Sequence, residues 1–212
     1  MKGARPLTPL EVQAVYKAFI GKFAVRNRTL FLLCVNTGLR ISEALSLKVG
    51  DVYQNEQVVD YLYLGKSAQK GKREGAALRL PQGAKNAIKN LIEWKKERSS
   101  YLKKRSPLFE SRQGGTLTRQ QAHNVLKEAY NSLGLTGKLT THSPRKTYAK
   151  DVYSNSGKDL LTLSKALRHK DLVTTIAYLD TKADEVSRSM PNYDFDKTNI
   201  RSRLFAKRDF DI

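Results

Sequence analysis

Leu30-Phe31-Leu32-Leu33-Cys34-Val35-Asn36-Thr37-Gly38-Leu39-Arg40-Ile41-Ser42-Glu43-Ala44-Leu45 holds an apolar helical run, a stop and a restart. The spacing predicts a helix that begins near Val25 and carries Leu30, Phe31, Leu33 and Cys34. Gly38 suits the left-handed residue that follows a helix end. Arg40 then stands on a turn immediately before a third helix, expected over 42–47. Cys34 is the chain's one cysteine, so no internal disulfide can form, and in this apolar setting it reads as a buried structural thiol.

Working outward toward the N-terminus, Thr8-Pro9-Leu10-Glu11 combines a hydroxyl cap, a first-turn proline and a glutamate three residues on, a helix start expected to run to about residue 20. On the other side, 58–64 is β-branched and aromatic and 76–80 resumes the extended pattern after a basic stretch, which predicts a hairpin. Ala84, Ala87, Ile88, Leu91, Ile92 and Trp94 recur at helical spacing over 83–98, with lysines on the other face and Trp94 in the core. Lys103-Lys104-Arg105 reads as a solvated loop, with contact to a phosphate backbone as the alternative. Thr118 with Gln121 is a second capping box, opening a helix to about residue 133 that Gly134 and Gly137 end. Ser143-Pro144 starts the helix that bears Arg145, Tyr148 and Val152, and two short helices are expected over 159–167 and 172–179. The tail from Asp184 is polar. The expected class is mainly α with a small antiparallel β-sheet or hairpin, an α+β fold.

Composition limits the function. The 212 residues include 39 Lys and Arg against 20 Asp and Glu, a formal charge of +19, which exceeds what solubility requires and points to a polyanionic partner. No run of eighteen apolar residues and no cleavable leader pattern is visible, so a membrane partner is not expected and the location expected is cytoplasmic, associated with the nucleoid. No Cys or His pair has zinc-ligand spacing and no phosphate-binding glycine loop is present. A mechanism without metal or cofactor is expected.

Five side chains suit phosphoryl transfer: Arg40, His142, Arg145, His169 and Tyr178. A DNA phosphodiester is already negative, and attack on phosphorus requires its non-bridging oxygens to be held and their charge offset. Paired guanidiniums do this with forked hydrogen bonds, and Arg40 and Arg145 are the candidates. A tyrosine of pKa about 10 is phenolate to roughly one part in a thousand at neutral pH, so it requires a base or cationic neighbours, and His142 is available. The departing 5′ oxygen requires a general acid.

The stretch 36–45, together with Thr141-His142-Ser143-Pro144-Arg145-Lys146 and Leu167-Arg168-His169-Lys170 followed by Tyr178, resembles the three ordered motifs of the tyrosine recombinase (phage integrase) family. The resemblance covers about 8–180. It implies that family's catalytic-domain fold, with 1–182 as the domain that breaks and rejoins DNA and 183–212 as a C-terminal tail that docks on a neighbouring protomer. It implies a site-specific recombinase acting through a 3′-phosphotyrosyl intermediate, in integration, excision, inversion or resolution. Its partners would be double-stranded DNA and three further copies of the chain, a homotetramer on paired sites. Tyr178 would be the nucleophile; among ten tyrosines its place in Thr174-Thr175-Ile176-Ala177-Tyr178, nine residues after His169, singles it out. His169 would bond a phosphate oxygen. The general acid would be a hairpin lysine, Lys70 in Lys70-Gly71, with Lys66 and Lys72 as alternatives. Glu43 matches an acidic position that orders the site, although a carboxylate in a helix's first turn is also favoured by the dipole.

Three departures stand out. Arg168 replaces the family's usual glycine, which alters the turn or adds a cation near DNA. The segment 70–81 is longer than in the commonest members. The chain reads as a short member without the N-terminal core-binding domain, either an excised fragment or a naturally short enzyme similar to the fimbrial phase-switch recombinases. A type IB topoisomerase-like activity and a non-catalytic DNA-binding regulator are the alternatives; the motif spacing and the complete set of helpers favour the recombinase.

Overall fold

Thr8 opens helix α1 (Pro9–Ala18) in the computed structural model: its hydroxyl accepts from the Glu11 N–H, and the Glu11 carboxylate accepts the Thr8 N–H in return. The structure describes residues 3–64, 76–99, 102–169 and Thr175. The chain divides into two units, Met1–Tyr178 and Leu179–Ile212, and the second lies outside the described residues. Helices α2 (Ala24–Thr37), α3 (Ile41–Leu45) and α4 (Val49–Val52) follow α1. Two antiparallel pairs come next: β1 (Tyr53–Gln54) with β2 (Gln57–Val58), and β3 (Tyr61–Leu64) with β4 (Ala76–Arg79). Helices α5 (Gln82–Lys96), α6 (Arg119–Ser132), α7 (Ser143–Asn155) and α8 (Leu160–Leu167) complete the described part. This is the mainly α architecture with small antiparallel sheets that the sequence predicts.

Helix α2 organises the packing because both of its sides are apolar. Leu30, Leu33 and Cys34 join the larger core with Ile88 and Leu91 of α5, Leu62 and Leu64 of β3, and Phe109. Phe31 turns the other way, into a second cluster with Val15 and Phe19 of α1 and Leu126, Ala129 and Tyr130 of α6; the Phe19 and Phe31 rings lie tilted at 5.8 Å. Each fully buried leucine contributes about 2 kcal/mol. Burial pushes the Cys34 thiol up to about 12, as expected of an inert structural cysteine. α2 also packs on α7, and α7 on α8, so the segments bearing Arg40, Arg145 and His169 share one framework.

Local expectations fail where tertiary contacts override pattern. The strand expected over 58–64 is divided: Val58 belongs to β2, and β3 begins at Tyr61. Asn55 and Glu56 adopt positive φ of 47° and 60°, the left-handed pair that closes a two-residue hairpin, and the apolar run conceals this turn. Trp94 packs against the larger core as expected but is only half-buried: its ring meets Phe23 at 6.2 Å and carries the Arg98 guanidinium 4.1 Å above it. Conversely, Lys95 is buried, with Nζ donating to a Glu110 carboxylate oxygen at 2.6 Å and to the Pro107 carbonyl at 3.2 Å. Lys103, Lys104 and Arg105 are exposed. The helix expected over 172–179 lies outside the described residues except for Thr175, which is helical and buried. Among the described residues no helix is long and apolar enough to cross a membrane.

Candidate active site

The stop after α2 builds the first wall. Gly38 has φ 62° and its N–H donates to the Cys34 carbonyl at 3.0 Å, a left-handed cap. A Cβ on Gly38 would lie 2.3 Å from a Tyr148 ring carbon, so the chain passes against α7 with no space for a side chain. Two residues on, Arg40 is the cap of α3. Its backbone N–H donates to Glu43 Oε2 at 2.8 Å and its Nη1 to Glu43 Oε1 at 2.8 Å. The Glu43 carboxylate is 2% exposed, whereas the Arg40 side chain is 40% exposed. Burial alone would push the Glu43 carboxyl up, but the Arg40 N–H, the nearby charge of Arg168 and the Arg40 guanidinium outweigh it and hold it below its usual range. Glu43 thus pairs with the N-terminus of α3 and with the Arg40 guanidinium at once.

Arg145, on the first turn of α7, is 1% exposed. Nη1 donates to the Gly38 carbonyl, and Nη2 donates to the Leu167 carbonyl at 2.7 Å. These carbonyls hold the guanidinium without cancelling its charge. Nη2 also lies 3.2 Å from His169 Nε2, and His169 Nδ1 lies 2.9 Å from the Thr175 hydroxyl. If Arg145 donates, Nε2 accepts and Nδ1 carries the hydrogen toward Thr175. Thr175 is a positioning partner that residue types alone did not single out; its sequence signal is its place six residues after His169.

His142 caps α7, with its N–H donating to Thr140 Oγ1 at 3.1 Å. Partial burial and then the charges of Arg145, Arg119, Arg40 and Lys146 pull its pKa below the ordinary value. The residue is still exposed, so the surrounding cations are the cause that a bound anion would reverse. The same electrostatics shows that His142, Arg40 and Arg145 are neighbours although 102 residues separate Arg40 from His142. The structure thus brings together four expected site residues, Arg40, His142, Arg145 and His169, with Glu43 behind them. Tyr178 and the hairpin lysines Lys66, Lys70 and Lys72 lie outside the described residues.

Arg168 corrects an expectation. Rather than adding a cation at the DNA face, its side chain is 7% exposed and Nη2 reaches Glu43 Oε2 at 3.2 Å. Tyr130 lies in the core, and burial pushes its phenol up; Tyr148 and Tyr153 are half-buried, and burial also raises Tyr148. Among the described residues no group of three or more His, Cys, Asp or Glu side chains could hold a metal ion. An exposed guanidinium, a buried one and two imidazoles can instead grip an anion and move a proton beside it.

Residues 5–185 match the Phage integrase family. "Probable integrase/recombinase YoeC" of Bacillus subtilis (strain 168) is 30% identical over 181 residues, 85% of this chain and 91% of the relative. Tyrosine recombinase XerD of Mycobacterium leprae (strain TN) is 31% identical over 165 residues, 74% of this chain and 49% of the relative; the chain spans about half the length of that relative. Among solved structures, XerH site-specific recombinase bound to difH substrate in a pre-cleavage complex superposes with a TM-score of 0.66 at 26% identity, covering 86% of this chain and 52% of that one. XerA recombinase, at 20% identity and a TM-score of 0.67 over 89% of this chain and 66% of that one, shows the shared fold. With the family match extending over nearly all of the unit that holds the four gathered side chains, the chain belongs to the Phage integrase family.

Proposed function

We propose that the chain is a site-specific DNA recombinase that cleaves and rejoins double-stranded DNA through a 3′-phosphotyrosyl intermediate. The observation that carries this reading is the convergence of Arg40, His142, Arg145 and His169 from three distant segments onto one framework, in a chain whose relatives are named recombinases. Arg40 and Arg145 hold the non-bridging oxygens of the scissile phosphate. His142, kept neutral by its partial burial and the cations around it, takes the Tyr178 proton. The Tyr178 oxygen attacks phosphorus, the bond to the 5′ oxygen breaks, and Lys70, or Lys66 or Lys72 in its place, protonates the departing oxygen. His169 steadies Arg145 and, once protonated at Nε2, donates from there to a phosphate oxygen that displaces the present contact. The 5′-hydroxyl of another strand then attacks the phosphotyrosine and restores the phenol; one phosphoester is exchanged for another, so no nucleotide is consumed.

Residues 1–182 act as the catalytic domain in this reading, 183–212 docks on a neighbouring protomer, and four copies assemble on paired sites. XerH is described in complex with its difH substrate, which supports DNA as the partner here. The test is covalent trapping from a random-sequence duplex library carrying single nicks. The wild-type chain is expected to give a detergent-stable protein–DNA adduct and Tyr178→Phe none, and sequencing the trapped strand identifies the site. Gel shift without adduct would overturn the reading in favour of a DNA-binding regulator. Relaxation of one plasmid without exchange between two sites would overturn it in favour of a topoisomerase.

A further inference from the structure

We propose that Arg168 is a positioning residue: from the turn after α8 it clamps Glu43, and through Glu43 it fixes Arg40 in register with Arg145 and His169. The inference rests on the recombinase reading above and adds a residue to its machinery. Arg168 sits at φ 55° and ψ 39°, a left-handed position past the end of α8 where glycine is the unstrained choice. Its guanidinium is buried, and Nε and Nη1 have no hydrogen-bond partner among the described residues. Backbone strain and unsatisfied buried donors both oppose stability. The ion pair that the side chain does make is with Glu43 Oε2, the oxygen that also receives the Arg40 N–H.

The connectivity gives this pair a function. On one side, Glu43 holds Arg40 by backbone and side chain. On the other, the residues flanking Arg168 hold Arg145, Leu167 by its carbonyl and His169 by its ring. Arg145 itself spans Gly38 and Leu167, and Arg168 adds a second link between the two halves, made to the carboxylate that holds Arg40. Without it, the buried carboxylate retains one cation, the partly exposed Arg40, which then has less to fix it against solvent. The loss belongs to the chemical step, because DNA affinity is spread over many phosphate contacts.

The experiment uses the nicked duplex trapped by the wild-type chain, with dissociation constants from fluorescence anisotropy and first-order adduct rates at saturating DNA. Arg168→Gly fits the left-handed backbone, so its melting temperature is expected to equal or exceed that of the wild type. Its adduct forms about tenfold more slowly while affinity changes less than about twofold, the signature of an interaction used in the transition state. Arg168→Lys recovers most of the rate, and in a Glu43→Gln background Arg168→Gly slows the reaction by less than about twofold more. An Arg168→Gly chain that cleaves at the wild-type rate, that loses affinity in place of rate, that melts lower without rescue by lysine, or whose loss persists undiminished in the Glu43→Gln background overturns the inference. A wild-type chain that traps no DNA overturns the recombinase reading and this one with it, whereas a normal Arg168→Gly rate beside an active wild type overturns this one alone.

Discussion

His142 shows how the residue scale controls the chemistry. Its pKa lies below 6.5 because partial burial and four cations, Arg145, Arg119, Arg40 and Lys146, oppose the imidazolium. The folded chain therefore binds fewer protons than the unfolded chain as pH drops through 6.5 toward the folded value, and this group's contribution makes folding less favourable as the pH falls. A phosphate between the two arginines supplies the missing negative charge. The His142 midpoint, followed by NMR of the imidazole, is expected to rise when a phosphodiester duplex is added; a midpoint that stays or falls would show that the cations act on His142 without facing the DNA. The residue types that carry this chemistry were legible in the motifs. The buried pairing of Arg168 with Glu43 was not, because 125 residues separate them and a surplus arginine in a basic chain reads first as a DNA contact.

At the scale of elements, the ends of helices matter more than their middles. α2 ends in Gly38, α3 begins at Arg40, α7 begins at His142, and α8 ends at Arg168. Each terminus leaves backbone groups unpaired by its own helix, and here the carbonyls at two of those ends, Gly38 and Leu167, hold Arg145. Gly38→Ala forces a left-handed β-carbon against the Tyr148 ring. It is expected to cost about 3 kcal/mol of stability in urea unfolding and to displace Arg145, so that adduct formation is lost even where the variant remains folded. A variant of wild-type stability and rate would show that the Gly38 carbonyl has no part in holding the site. The capping boxes at Thr8 and Thr118 were readable because their partners lie three residues away. The Asn55–Glu56 turn was not, since its neighbours Val58 and Val59 suit a longer strand equally well.

For the whole molecule, a charge of +19 makes DNA binding a counterion-release process. For the six or more phosphates that such a surface can neutralise, affinity is expected to fall at least roughly a thousandfold between 50 and 200 mM salt. Fluorescence anisotropy against duplexes checks this, and a shallow salt slope would mean that few of the chain's positive charges lie along the DNA backbone. Charge, the order of the motifs, the caps and the mainly α class follow from local chemistry, which depends on residue type and short spacing, and the sequence by itself determined them. Which arginine is exposed and which is buried, that Lys95 lies inside and Trp94 at the margin, and that Arg168 faces Glu43 were decided by the tertiary structure alone. Such outcomes depend on the packing of α2, α5, α7 and α8, and the energy of a buried charge is set by neighbours that are remote along the chain.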